Sequence, residues 1–116
     1  MRTLVTASAS FEAAHSLPLH PGRCKRLHGH HYRIEVSISG AVGPDGVVLD
    51  FDELANILRS EVLQRWDHQL LNDLVDNPTA ELLAQEAFKL LAAAGLAVVS
   101  VKLWETPDFA VEVSAR

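Results

Sequence analysis

Two stretches near the N-terminus alternate between apolar or small and polar side chains, and no other feature restricts the fold as much. From Thr3 to His15 one side carries Val5, Ala7, Ala9, Phe11, Ala13 and His15, and the other carries Thr6, Ser8, Ser10 and Glu12. From about His28 to Ser39 one side carries His28, His30, Tyr32, Ile34, Val36 and Ile38, and the other His31, Arg33, Glu35 and Ser37. A period of two is that of a half-buried strand. The intervening loop is punctuated by Pro18, Pro21 and Gly22 and allows the two strands to pair antiparallel.

The remainder reads as two helices and two more strands. Gly40, Gly43, Pro44, Asp45 and Gly46 mark a long turn. Asp50 with Glu53 three residues on forms a capping box, and Phe51, Leu54, Ala55, Leu58 and Val62 follow as a helical apolar stripe. The Trp66-Asp67-His68 segment closes that helix or follows it. A second helix starts near Asn77-Pro78-Thr79, with Pro78 in its first turn, buries Leu83, Ala87, Leu90, Leu91 and Ala94, and stops at Gly95. Val99, Val101, Leu103 and Glu105 line one face of a third strand, and Phe109, Val111 and Val113 line a fourth. The order ββααββ predicts an α+β fold: a four-stranded antiparallel sheet with both helices on one face. Such a sheet has two open edges, a liability that side-by-side assembly of subunits into a closed barrel removes.

With 116 residues the chain suits one domain. Cys24 is the only cysteine, which excludes a disulfide framework and fits a reducing, cytoplasmic compartment. The stretch from Leu90 to Val101 lacks charges but falls well short of the roughly 20 residues that cross a bilayer. A net charge of −5 argues against nucleic-acid binding. The charge is uneven, however. From His15 to Arg33 there is no acid, while Arg23, Lys25, Arg26, Arg33 and five of the six histidines fall there. A local basic patch on an acidic chain suits a small anionic ligand.

His28 and His30 flank Gly29, and residues two apart on a strand project to the same side about 6–7 Å apart. If the first two strands pair with His15 beside His28, three imidazoles converge at one end of the apolar face. Three histidines without a fourth protein ligand make the open geometry of a catalytic zinc site. Cys24 lies four residues before His28, among Arg23, Lys25 and Arg26, cations that favour its thiolate; it could be a fourth ligand, a nucleophile or a general base. In Asp67-His68 a carboxylate can orient an imidazole for proton transfer. Glu105 continues an apolar face, where a carboxylate is costly unless paired, as by adjacent N–H donors of a guanidine-like ring edge.

Phe11-Glu12-Ala13-Ala14-His15, Cys24-x3-His28-Gly29-His30, Asp67-His68-Gln69-Leu70-Leu71-Asn72, Pro78-Thr79-Ala80-Glu81 and Trp104-Glu105-Thr106-Pro107 occur in that order. Together they resemble the 6-pyruvoyltetrahydropterin synthase superfamily, and within it the bacterial 6-carboxy-5,6,7,8-tetrahydropterin synthases. The resemblance covers nearly the whole chain and implies one domain over residues 1–116 with the tunnelling fold (T-fold), in which trimers close into barrels and two trimers stack as a homohexamer with active sites between subunits. It implies zinc on His15, His28 and His30, Cys24 as general base, His68 oriented by Asp67 as proton relay, Glu105 gripping the pterin, and Thr79 and Glu81 contacting it. The implied reaction converts 7,8-dihydroneopterin triphosphate to 6-carboxytetrahydropterin, acetaldehyde and triphosphate, on the route to queuosine and other 7-deazapurines. Three residues between Cys24 and the His-Gly-His, rather than the five typical of 6-pyruvoyl enzymes, favour the carboxy branch. Three alternatives stand beside this reading: a 6-pyruvoyl-type triphosphate elimination, a non-catalytic zinc- and pterin-binding module, and a zinc hydrolase.

Overall fold

The computed structural model describes residues 1–116. Strands β1 (Thr3–His15) and β2 (His28–Gly40) form a long antiparallel hairpin whose register runs from Thr3 opposite Gly40 to His15 opposite His28. The alternation therefore sets both strand limits and pairing. Phe11, Ala13, Tyr32, Ile34, Val36 and Ile38 are buried on one face, while the Thr6–Ser37, Ser8–Glu35, Ser10–Arg33 and Glu12–His31 pairs line the other. Slipping the register by one residue would turn every one of those apolar side chains to water.

The sheet has five strands, not four. Its order is β3-β1-β2-β4-β5, where β4 is Val98–Thr106, β5 is Phe109–Ser114, and β3 is the two-residue strand Gln69–Leu70. β3 runs parallel to β1, with Ala13 opposite Gln69 and Ala14 opposite Leu70. Two residues carry no periodicity, so nothing in the sequence marks this strand.

Both helices cover the apolar face. Helix α1 (Phe51–Leu58) passes through a π-helical turn (Arg59–Leu63) into a last α-turn, Gln64–Trp66. Its buried side chains Leu54, Leu58, Val62 and Trp66 lie four residues apart, a spacing that drifts about 40° per step in a pure α-helix. The wider π turn offsets that drift and keeps Trp66 on the core side, edge-on to Phe11, which in turn stacks on Tyr32. Phe51, expected in the stripe, is 70% exposed because it stands at the first helical position, beyond the reach of the sheet. Ala55 is exposed as well. Asp50 does occupy the N-cap, but its side chain makes no capping hydrogen bond.

Helix α2 (Ala80–Ala93) buries Ala80, Leu83, Ala84, Ala87 and Leu91, with Leu90 only half-buried and Ala94 exposed past the helix end. Thr79 is its N-cap, accepting the Leu82 N–H at 3.2 Å, so Pro78 precedes the helix instead of opening it. Gly95 ends it with φ of +100°, a left-handed conformation that favours glycine. An irregularity between Ser37 and Ile38 pairs Ile38 with Val98, so Val98, not Val99, packs against the core. Phe109 is 72% exposed, lying beyond a second irregularity between Trp104 and Thr106.

Candidate metal centre

The hairpin register brings His15, His28 and His30 together at one end of the apolar face. One ligating nitrogen from each lies within 4.8 Å of the other two. The rings meet edge to face, with centroids 4.6 to 5.1 Å apart. His15 is wholly buried; His28 and His30 are partly so.

Backbone carbonyls fix the ring tautomers. His15 Nδ1 donates to the Pro78 carbonyl at 2.8 Å, and His28 Nδ1 donates to the Arg26 carbonyl at 2.6 Å. A proton on each Nδ1 leaves a lone pair on each Nε2, and those two Nε2 atoms face each other at 3.0 Å. Facing lone pairs repel unless a cation lies between them. The Nε2 of His30 is buried without a hydrogen-bond partner, although Glu105 Oε1 lies 3.2 Å away in unfavourable geometry. Nitrogen donors with the opposite ring atom tied to a carbonyl are the usual dress of zinc ligands. The donor set therefore fits a divalent, nitrogen-seeking ion such as zinc.

Burial lowers the His15 pKa below the ordinary 6.5, outweighing the upward pull of the Pro78 carbonyl and of Glu105. Burial also lowers that of His30, again against the pull of Glu105. Both rings are thereby kept neutral, the form that binds metal. Because these folded-state pKa values are depressed, the unfolded chain binds more protons just below 6.5. The associated stability is present above that pH and is lost as pH falls through it. The metal-free protein is accordingly expected to melt at lower temperature at pH 5.5 than at pH 7.5, a difference that calorimetry with chelator present will read. Tyr32 packs against the triad, its hydroxyl 3.3 Å from His15 Nδ1, and burial followed by the Glu105 charge pushes its pKa well above 10.

Asp67 and His68 form a second group at the β1 edge. Asp67 Oδ1 accepts both the His68 Nδ1–H and the Glu12 N–H, each at 2.9 Å. The Glu12 hydrogen bond, followed by the charge and hydrogen bonds of His68, holds the Asp67 carboxyl below its ordinary 3.8 despite an opposing desolvation effect. His68 adopts φ of +59° and donates its own N–H to the Glu12 carbonyl at 2.6 Å. A hollow of about 520 Å³ is lined by both His68 and the triad member His30.

The expected site residues thus fall into two groups and three separate positions. His15, His28, His30 and Glu105 meet, and Asp67 meets His68. Cys24 is half-buried on a short 3₁₀ turn (Arg23–Lys25) before β2, where its carbonyl accepts the Leu17 N–H at 3.0 Å. Thr79 caps α2, and Glu81 is exposed in its first turn. The carbonyls of Pro78 and Arg26 were not foreseen, since any residue supplies a carbonyl. Tyr32 could have been, lying two residues beyond His30 on the same strand face.

A sheet hairpin that gathers three imidazoles beside a carboxylate, with an acid–imidazole pair nearby, is the equipment of a metal-assisted enzyme. The sequence profile of the family described as 6-pyruvoyl tetrahydropterin synthase matches residues 4–116. The chain belongs to that family and is a pterin-processing lyase. It is 41% identical over 105 residues to the 6-carboxy-5,6,7,8-tetrahydropterin synthase of Synechocystis sp., covering 84% of this chain and 81% of the other. An Archaeoglobus fulgidus protein provisionally given the same name is 42% identical, with 90% of each chain covered. The dihydroneopterin monophosphate aldolase of Pyrococcus furiosus is 32% identical over 97% of this chain and 98% of its own. Among solved structures, 6-pyruvoyl tetrahydropterin synthase of Caenorhabditis elegans superposes with a TM-score of 0.87 at 26% identity, covering 100% of this chain and 97% of that one. No helix is long and apolar enough to cross a membrane.

Proposed function

We propose that this enzyme converts 7,8-dihydroneopterin triphosphate to 6-carboxy-5,6,7,8-tetrahydropterin, acetaldehyde and triphosphate, using zinc held by His15, His28 and His30. The observation that carries the reading is the facing pair of Nε2 lone pairs, 3.0 Å apart, beside the orphaned Nε2 of His30. Zinc bound there would polarise the substrate's side-chain hydroxyls and make them more acidic.

The other tasks fall to the chain. Cys24 is the general base that takes a proton from the substrate side chain, and His68 relays the second. Asp67 steers His68, because the carboxylate oxygen that receives the Nδ1–H leaves Nε2 as the proton-carrying atom. The Glu105 carboxylate accepts the amino and ring N–H groups of the pterin. Thr79 and Glu81 make further pterin contacts, and the Thr79 oxygen that accepts the Leu82 N–H still has its own O–H to donate. Arg23, Lys25 and Arg26, all exposed, supply positive charge for the triphosphate. The unpaired edges of β1 and β5 favour assembly into barrels, and with it a homohexamer with active sites between subunits. We place the chain, as one domain over residues 1–116, in the cytoplasm and its product on the route to queuosine and other 7-deazapurines.

The Pyrococcus furiosus relative supports a second reading, in which a dihydroneopterin monophosphate is cleaved. Incubation with the triphosphate and the monophosphate separately, followed by mass spectrometry, distinguishes them. 6-Carboxytetrahydropterin with acetaldehyde is expected from the triphosphate. A 6-pyruvoyl product, or turnover of the monophosphate alone, would overturn the assignment. In the same assay Cys24→Ala is expected to lower turnover by about 10²–10⁴-fold, the usual contribution of a general base, with zinc still bound. A Cys24→Ala protein equal to the parent would point to a binding module.

A further inference from the structure

The unexpected strand β3 belongs to a longer contact. Residues 67 to 72 lie along residues 12 to 16 and bond to them at both ends. At the first end Asp67 and His68 hold the N–H and carbonyl of Glu12, and in the middle Gln69 and Leu70 pair with Ala13 and Ala14. At the far end the side-chain amide of Asn72 closes a ring on Ser16. Its Oδ1 accepts the Ser16 N–H at 2.9 Å and its Nδ2 donates to the Ser16 carbonyl at 2.8 Å. His15 is the one residue between the paired Ala14 and the clamped Ser16.

Beyond His15, β1 ends and the loop to Cys24 begins, so no ladder hydrogen bond from another strand restrains the peptide that follows this ligand. The Asn72 amide replaces that ladder, and it makes both bonds that a backbone residue of a neighbouring strand would make. The ring of His15 must at the same time meet the Pro78 carbonyl with Nδ1 and present Nε2 to the metal. A small rotation of the Ser16 peptide would move both.

We infer that Asn72 is a positioning residue for metal binding, acting through the backbone of Ser16 to aim His15. It also fixes how far His15 stands from the Asp67–His68 pair, since the same six-residue strap carries both. The inference rests on the metal-centre reading above, and its test does not depend on which pterin is turned over.

The test uses the full-length protein with Asn72→Asp and Asn72→Ala. Asp keeps the acceptor for the Ser16 N–H and loses the donor; Ala loses both. Zinc affinity is measured by competition with a chromophoric chelator, and the ligand field by the visible spectrum of the cobalt-substituted protein. Second-sphere losses commonly weaken metal binding 10- to 100-fold. Asn72→Ala is expected in that range, Asn72→Asp between it and the parent, and both with a shifted cobalt spectrum. Ile34→Val, a core change distant from the strap, serves as a stability control and is expected to leave affinity and spectrum unchanged. Should Asn72→Ala fail to fold, the near-isosteric Asn72→Asp carries the test. Affinity within twofold of the parent and an unaltered cobalt spectrum in the Asp variant would overturn the inference, as would equal changes in the Ile34→Val control. Absence of stoichiometric zinc or cobalt binding by the parent would instead overturn the metal-centre reading itself.

Discussion

His28→Ala is expected to leave a folded protein that no longer retains metal through gel filtration and has lost turnover. His28 is only partly buried, and its one protein hydrogen bond outside the triad goes to the Arg26 carbonyl, which can turn to water. Its removal should therefore cost no more than an ordinary surface change, within about 0.5–1 kcal/mol. The metal loses a third of its protein ligands, so affinity should fall by more than the roughly 100-fold that the loss of a supporting hydrogen bond produces. His15→Ala is predicted to differ in kind. It would leave the Pro78 carbonyl unpaired beside a cavity, costing about 1–3 kcal/mol even in metal-free protein. Elemental analysis paired with thermal melting separates the two effects. A His28→Ala protein with full metal content and unimpaired turnover would remove the triad from the mechanism.

Glu105→Ala should reduce kcat/KM with metal still bound. A carboxylate that accepts two N–H groups from a pterin edge makes two charge-assisted hydrogen bonds, worth about 1.5–3 kcal/mol each. Their loss corresponds to roughly 10²- to 10⁴-fold. Glu105→Gln, which keeps one acceptor and turns the other oxygen into a donor, should fall between the two. Glu105 also lies 3.2 Å from His30 Nε2, so metal content is to be measured alongside turnover. Loss of turnover with metal retained assigns the carboxylate to the substrate. Parallel loss of both assigns it to the metal centre, and intact turnover and pterin binding would sink the pterin assignment.

Much of this site was legible because it lies on a two-residue repeat. Once β1 and β2 are recognised as strands, the apolar face leaves one register free of clashes with water, and that register sets His15 opposite His28. What was not legible shares a different character. β3 is defined by a neighbour, not by its own pattern, and the carbonyls of Pro78 and Arg26 are independent of side-chain identity. The displacement of Val99 by Val98 arises from an extra residue in one strand of a pair, which period counting within one strand does not detect. Phe51 and Phe109 were counted as core because they are apolar, yet they lie at element ends where the sheet no longer reaches them. The motif Asp67 to Asn72 was visible as letters, but its action as a strap depends on contacts with residues 12 to 16, more than fifty positions earlier.

The π-helical turn at Arg59–Leu63 constrains where chain length can vary. Deleting one residue there would restore a regular α-helix but rotate everything after it by about 100° and draw it back by about 1.5 Å. Trp66 would leave the edge of Phe11, and Asp67, whose N–H bonds to the Leu63 carbonyl at 2.8 Å, would lose its approach to Glu12. An added or missing residue in the exposed Ala41–Gly46 turn alters none of these contacts. Insertions and deletions should therefore accumulate in that turn and be purged from the helix, although both segments lie outside the metal centre.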